Sequence, residues 1–389
     1  MNQDSSVINA VRLPLAVLVV LIHSYIPVQG WNMSIINYAA LTGRDIYSLF
    51  CITLSHVLSE IAVPLFFFIS GYLFFLNLYE WNWDVWKRKL FRRIKTLLIP
   101  YLIWCTLFAI ISVIWLIMRK GVDGLVDWYK LVGLDGIYWC DPRNTVIQYN
   151  LLGFNSIITS PLLMPMWFLR DLMVVISFTP IIWFFLKKIS ILLLLLMGCL
   201  WLLGFGTQIP GVSLISLFMF SWGGYYSCKQ KSFIEMFRKF DSWPLYFLFL
   251  ILMFICIKYG GNTTQLGQVC LNCWVLTAIP VILIILQLLI VRKKKVVYWL
   301  LSLSNRSFFI YACHGIIISY LYRFLWLVLG VETVGDKLSS SYINNHLTVC
   351  IVSYILTPVI TILSCLFLYK LFVRMLPTKM MTLLVGKIR

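Results

Sequence analysis

Apolar residues run through this chain in long, nearly unbroken blocks separated by short polar or basic stretches. A run of about 17 to 25 apolar residues is the length that crosses a bilayer as a helix. Ten such runs emerge, approximately 7–28, 54–78, 97–118, 166–186, 191–207, 212–228, 243–259, 269–291, 307–329 and 347–371. The pattern predicts an all-α integral membrane protein, a bundle of about ten transmembrane helices read as a single domain over 1–389. The first run, VINAVRLPLAVLVVLIHSYIPV, differs from the others because it contains Arg12 and His23. These two lie 11 residues apart, close to three helical turns, so they share a face about 16 Å apart along the axis. Ionisable groups at membrane depth are costly and usually face a bundle interior or a wet cavity, which makes the pair a candidate site. Snorkelling of Arg12 to the headgroups and a simple helix–helix hydrogen bond from His23 are the structural alternative.

Composition agrees with the pattern: 61% of the 389 residues are hydrophobic and 12% charged. A soluble domain carries about twice that charged fraction. No basic region precedes the first run and no clean cleavage site follows it, so it reads as a retained helix rather than a signal peptide. The net charge of +18 would suit nucleic acid, but its distribution points elsewhere. With the N-terminus placed in the cytoplasm, 21 Lys and Arg fall in inner loops and the tail against seven in outer loops. The positive-inside rule then puts both termini in the cytoplasm and requires no nucleic acid. The 11 cysteines are scattered through apolar runs, and Cys270 with Cys273 lacks a second ligand pair, so neither a disulfide framework nor a metal site is expected.

Further polar residues stand inside or beside the runs. His56 and Glu60, four apart, share a helix face near the outer boundary, and a carboxylate there is the best available partner for the imidazole of His23. Ser70-Gly71 interrupts an aromatic stretch and admits a close neighbour, either a helix or a ligand. Trp167 sits at the outer interface above Arg170 and Asp171, which should be paired or face a cavity. Ser304 or Asn305 can cap a helix starting at the inner face, with Arg306 beside its positive end and His314 two turns further in. Such a terminus suits a phosphate. The inner loop WKRKLFRRIK reads as an amphipathic interfacial helix whose cationic face can hold an anionic ligand. The outer segment 119–165, with Trp128, Trp139, Asp135, Asp141 and Arg143, offers the ring faces and hydroxyl acceptors that suit a sugar, or equally an interfacial aromatic belt.

Together these residues resemble the acyltransferase 3 family of bacterial membrane acyltransferases. The resemblance rests on Arg12 and His23 at their spacing, the phenylalanine-rich FFFISGYLFF at 66–75, the basic loop ending at Pro100, MWFL at 166–169 and SFFIYACH at 307–314. It implies a multi-pass protein of the bacterial cytoplasmic membrane that moves an acyl group, commonly acetyl, from cytoplasmic acyl-CoA to a hydroxyl of an envelope polysaccharide or its lipid-linked precursor. Arg12, Arg92, Arg93 and Arg306 would hold the donor phosphates, and acyl-CoA would be a substrate rather than a resident cofactor. His23 would act as general base, with Arg12 and Glu60 beside it, and a covalent acyl-histidine stays open. Ser70, Gly71, Trp167, Arg170, Asp171 and His314 are the candidate substrate-pocket residues. Many family members carry an extracytoplasmic hydrolase-like domain; none is expected here, and a separate partner protein would supply one if transfer needs it. A transporter or flippase of a lipid-linked sugar is the competing reading, and it expects internal two-fold repeats that the sequence does not display.

Overall fold

The first apolar run forms the α-helix Gln3–His23 in the computed structural model, which describes residues 3–386 apart from 31–35, 37, 79, 332, 335 and 336. It begins four residues before the predicted start and ends five before the predicted end. The early stop has a local cause: the Ser24 hydroxyl donates back to the Val20 carbonyl at 2.8 Å, and Pro27 then holds the chain extended. Beyond it, Leu338 N–H donates to the Pro27 carbonyl and Gln29 N–H to the Leu338 carbonyl, both at 2.9 Å.

Among the described residues, five helices are long and apolar enough to cross a membrane: Gln3–His23, Gly43–Phe75, Trp83–Arg119, Gln265–Val291 and Leu347–Met375. A sixth results if Met164–Ser177 and Thr179–Lys188, bent by 63°, are one broken span. The bend falls at Phe178, with Pro180 in the first turn of the following helix. Two other expected spans are shorter apolar helices, Ser190–Leu202 and Trp243–Lys258. The all-α membrane class therefore stands, while the apolar runs overstate the length of several helices.

The chain divides into two units, Met1–Val63 with Phe237–Tyr369, and Pro64–Met236 with Lys370–Arg389. In the first unit the helix Gln3–His23 is central. It packs against Gln265–Val291, Lys295–Leu303, Ser307–Leu329 and the irregular segment 52–61. Val7, Ala10, Val11, Leu15, Ala16 and Val20 are buried there, giving a face of small and branched side chains that lets neighbours approach closely.

In the second unit two glycines set the helix spacing. A Cβ on Gly71 would collide with the Phe220 carbonyl, and one on Gly223 would collide with the Phe68 carbonyl. The helices Ala62–Phe75 and Leu214–Cys228 thus meet backbone to backbone. The basic loop is helical, Trp83–Arg93, running on into the apolar helix that follows, with the Asn82 side chain accepting from Asp84 and Val85 N–H. Lys89 Nζ donates to the Phe74 and Leu76 carbonyls, closing the end of the preceding helix. The segment 119–165 is not a bare connection. It contains the helix Asp123–Tyr138, broken at Gly133, and a two-stranded antiparallel hairpin of Val146–Tyr149 with Asn155–Ile158.

Candidate active site

His23 is the last residue of the first helix and is partly buried. Its ring centroid lies 5.4 Å from that of His314, the planes inclined by 37°. His314 projects from the helix Ser307–Leu329 and is fully buried. Its Nδ1 lies 2.6 Å from the Tyr311 carbonyl and 3.2 Å from that of Ile310. A carbonyl only accepts, so Nδ1 must carry the proton and Nε2 the lone pair; the tautomer is assigned from this bond. Nε2 is buried and has no hydrogen-bond partner among the described residues. A buried basic nitrogen facing a second imidazole is an uncommon arrangement, since buried polar atoms are normally satisfied. His314, a substrate-pocket candidate in the sequence, is thus hydrogen-bonded through only one of its nitrogens among the described residues.

Glu60 is not hydrogen-bonded to His23, contrary to the expected pairing. The reason is a break in the second span. The α-helix Gly43–Cys51 gives way to a π-helical turn, Ile52–Val57, and then a 3-10 turn, Leu58–Ile61, before helix resumes at Ala62. His56 and Glu60 therefore lie on opposite sides of a discontinuity instead of one turn apart on a regular face. Glu60 accepts a hydrogen bond from Asn262 Nδ2 at 2.7 Å. Both ring nitrogens of His56 are buried without a hydrogen-bond partner among the described residues, and Tyr25 packs edge-on against the ring at 4.5 Å. The Ser55 hydroxyl reaches the Leu21 carbonyl at 2.6 Å and the Tyr354 hydroxyl at 2.7 Å, tying the break to the last turn of the first helix. Glycine is required at 261, where φ is +56° and a Cβ would meet the His56 carbonyl.

Of the four arginines assigned to donor phosphates, Arg12 and Arg306 belong to the first unit and Arg92 and Arg93 to the second. Arg12 is partly buried one face of helix below His23. Arg306 stands over the Tyr369 ring at 5.8 Å. The free helix start expected beside it is absent. The chain runs helically from Lys295 through the 3-10 turn Ser304–Arg306, and the Ser304 hydroxyl donates back to Leu301 rather than capping forward. Arg92 is exposed on the interfacial helix, and Arg93 is partly buried.

The remaining pocket candidates all lie in the second unit and are used by the protein itself. Gly71 admits a helix backbone, Ser70 is partly buried beside it, and Trp167 packs 6.4 Å from Phe67. Arg170 and Asp171 are 2% exposed each. Arg170 Nε and Nη2 bind Asp171 Oδ1 at 3.0 and 2.8 Å, Nη2 also donates to the Thr159 carbonyl at 2.9 Å, and Nη1 donates to the Trp139 carbonyl. The pair, expected to be paired or to face a cavity, is paired and clamps both flanks of the hairpin onto the helix that carries it. Asp141, considered as a sugar acceptor, is likewise occupied by Arg143 at 2.6 Å.

Two participants escaped the sequence reading. Tyr25 was taken as the tail of a longer helix. Asn262, in the turn Gly260-Gly261-Asn262, looked like a plain connection between apolar runs, although paired glycines before a carboxamide are the one local sign of a close backbone approach.

Residues 6–370 match a family described as an acyltransferase domain. Over 179 residues the chain is 30% identical to the succinoglycan biosynthesis protein ExoH of Rhizobium meliloti (strain 1021). That stretch is 46% of this chain and 42% of the relative, so the chain spans less than half the length of the curated relative it matches. No solved structure matches.

Proposed function

We propose, since the chain belongs to the acyltransferase 3 family, that it transfers an acyl group, most simply acetyl from acetyl-CoA, to a hydroxyl of an envelope polysaccharide or its lipid-linked precursor. The observation that carries the reading is the His23–His314 pair at the end of the first helix. His23 is the general base. It removes the proton of the acceptor hydroxyl as that oxygen attacks the thioester carbonyl, and the tetrahedral intermediate collapses with cleavage of the C–S bond. The proton held by the imidazole passes to the departing thiolate, leaving an ester and free coenzyme A. His314, with its proton fixed on Nδ1, keeps a lone pair on Nε2 that can accept from the second nitrogen of His23 and so choose which nitrogen of His23 is basic.

The protein is a multi-pass membrane protein, and the acceptor class is supported by the succinoglycan-related relative. In the proposed orientation both termini are cytoplasmic. The donor enters from the inner face, and Arg12 and Arg306 of the first unit supply cationic groups for its phosphates. The test is radiolabel transfer from acetyl-CoA to envelope material in membranes containing the wild-type chain, with coenzyme A release followed in parallel. Stoichiometric transfer and release support the enzyme. Donor left intact with an authentic acceptor extract present contradicts it and favours a transporter of lipid-linked sugar.

A further inference from the structure

The break in the second span holds more hydrogen-bonding capacity than the protein uses. Asn262 occupies Glu60 Oε1, and Glu60 Oε2 has no hydrogen bond among the described residues. His56, four residues earlier across the π and 3-10 turns, has both ring nitrogens buried without a hydrogen bond of ordinary geometry among the described residues. Asn262 interacts with both Glu60 and His56, and Tyr25 meets the His56 ring in a T-shaped contact. The partly buried carboxylate of Glu60 and the two buried ring nitrogens of His56 thus lie within four residues of one another in an irregular stretch of an otherwise apolar span. Buried polar atoms are normally satisfied, which makes the His56 ring the exception here. Irregular π turns inside helices recur at functional sites because they redirect side chains that a regular ladder would separate.

The backbone is built to hold this arrangement open. Ser55 fixes the break to the first helix and to Tyr354, and the glycine at 261 brings the Asn262 turn into contact with the His56 carbonyl. The 3-10 turn bearing Glu60 also packs along the helix that ends in His23. Nothing in this geometry makes Glu60 a partner of the imidazole pair. Its free oxygen suits an O–H donor, and His56, able to accept at one nitrogen and donate at the other, suits a second hydroxyl.

We propose that Glu60, His56 and Asn262 form a saccharide-recognition subsite that binds two neighbouring hydroxyls of the acceptor, separate from the hydroxyl presented to His23. The subsite rests on the acyltransferase reading for its role, but its ligand binding does not require the donor. Glu60 is then a specificity residue and not the carboxylate of a catalytic dyad.

The experiment uses the full chain in lipid nanodiscs without donor, with a panel of methyl glycosides (glucoside, galactoside, mannoside, rhamnoside) and their monodeoxy analogues, and binding read by saturation-transfer NMR. Wild type binds at least one glycoside, and removal of one specific hydroxyl weakens it about tenfold or more, the scale of a hydrogen bond to a charged or strongly polar group. Glu60→Gln and Asn262→Ala lose that discrimination, so that parent and deoxy glycoside bind alike, while His56→Phe loses discrimination at the adjacent position. Thermal midpoints of each variant are followed to confirm that the fold survives. Wild type binding none of the panel, or Glu60→Gln binding with unchanged discrimination, overturns the subsite. Glycoside binding that persists while no acyl transfer is found would remove the acyltransferase reading alone.

Discussion

Replacing Asp171 by Ala removes the counter-charge of a guanidinium that is 2% exposed. The four hydrogen bonds of Arg170 pull in different directions, two toward Asp171 and one each toward the Trp139 and Thr159 carbonyls, so the cation cannot swing to solvent without releasing the hairpin. Breaking a buried ion pair from one side costs about 3–5 kcal/mol, because the remaining charge stays desolvated. Arg170→Met strands the carboxylate and should cost a similar amount. The double variant Arg170→Met/Asp171→Leu leaves two carbonyls short of a donor but no buried charge. Its loss should therefore fall below the sum of the singles by about 2–3 kcal/mol. Equilibrium unfolding of the purified chain in mixed micelles, followed by tryptophan fluorescence, reads these differences, and transfer activity is compared at a temperature where every variant is folded. Additive losses, or Asp171→Ala keeping wild-type stability while transfer disappears, would refute the clamp and return the pair to the substrate.

Gly71→Ala and Gly223→Ala each push a methyl group into a facing carbonyl, and each should cost about 1–3 kcal/mol, seen as a lowered thermal midpoint and a smaller monodisperse fraction on size-exclusion chromatography. Arg92→Gln/Arg93→Gln should raise the acetyl-CoA KM severalfold with kcat unchanged, more strongly at low than at high salt, since exposed charges are screened. An unchanged KM at low salt would remove both from the donor site.

How much of this was legible beforehand follows from where the signals lie. Length and apolarity are local properties, so the membrane class, the first helix and the helical character of Trp83–Arg93 could be read directly, and the spacing of Arg12 and His23 survived because the helix between them is unbroken despite Pro14. The partner of His23 could not be read, because 291 positions separate it from His314 and only tertiary packing joins them. Glu60 was placed beside His23 on the assumption of a regular helix; the π and 3-10 turns at 52–61 leave no mark in the hydropathy pattern. The same limit applies to Arg170 and Asp171. Sequence shows that an intramembrane pair needs partners, and both backbone carbonyls that complete it belong to a segment whose fold depends on the clamp itself.

The account stands or falls on the imidazole at the end of the first helix. The most direct measurement is the single-turnover rate of acetyl transfer to envelope acceptor by wild type, His23→Ala and His314→Ala, each verified as folded and present in equal amount in the membrane. Loss of the general base should slow transfer by about 10²–10⁴-fold in His23→Ala, with His314→Ala slowed less because it acts through His23. Transfer by His23→Ala at the wild-type rate would contradict the assignment and require the proton to be taken elsewhere.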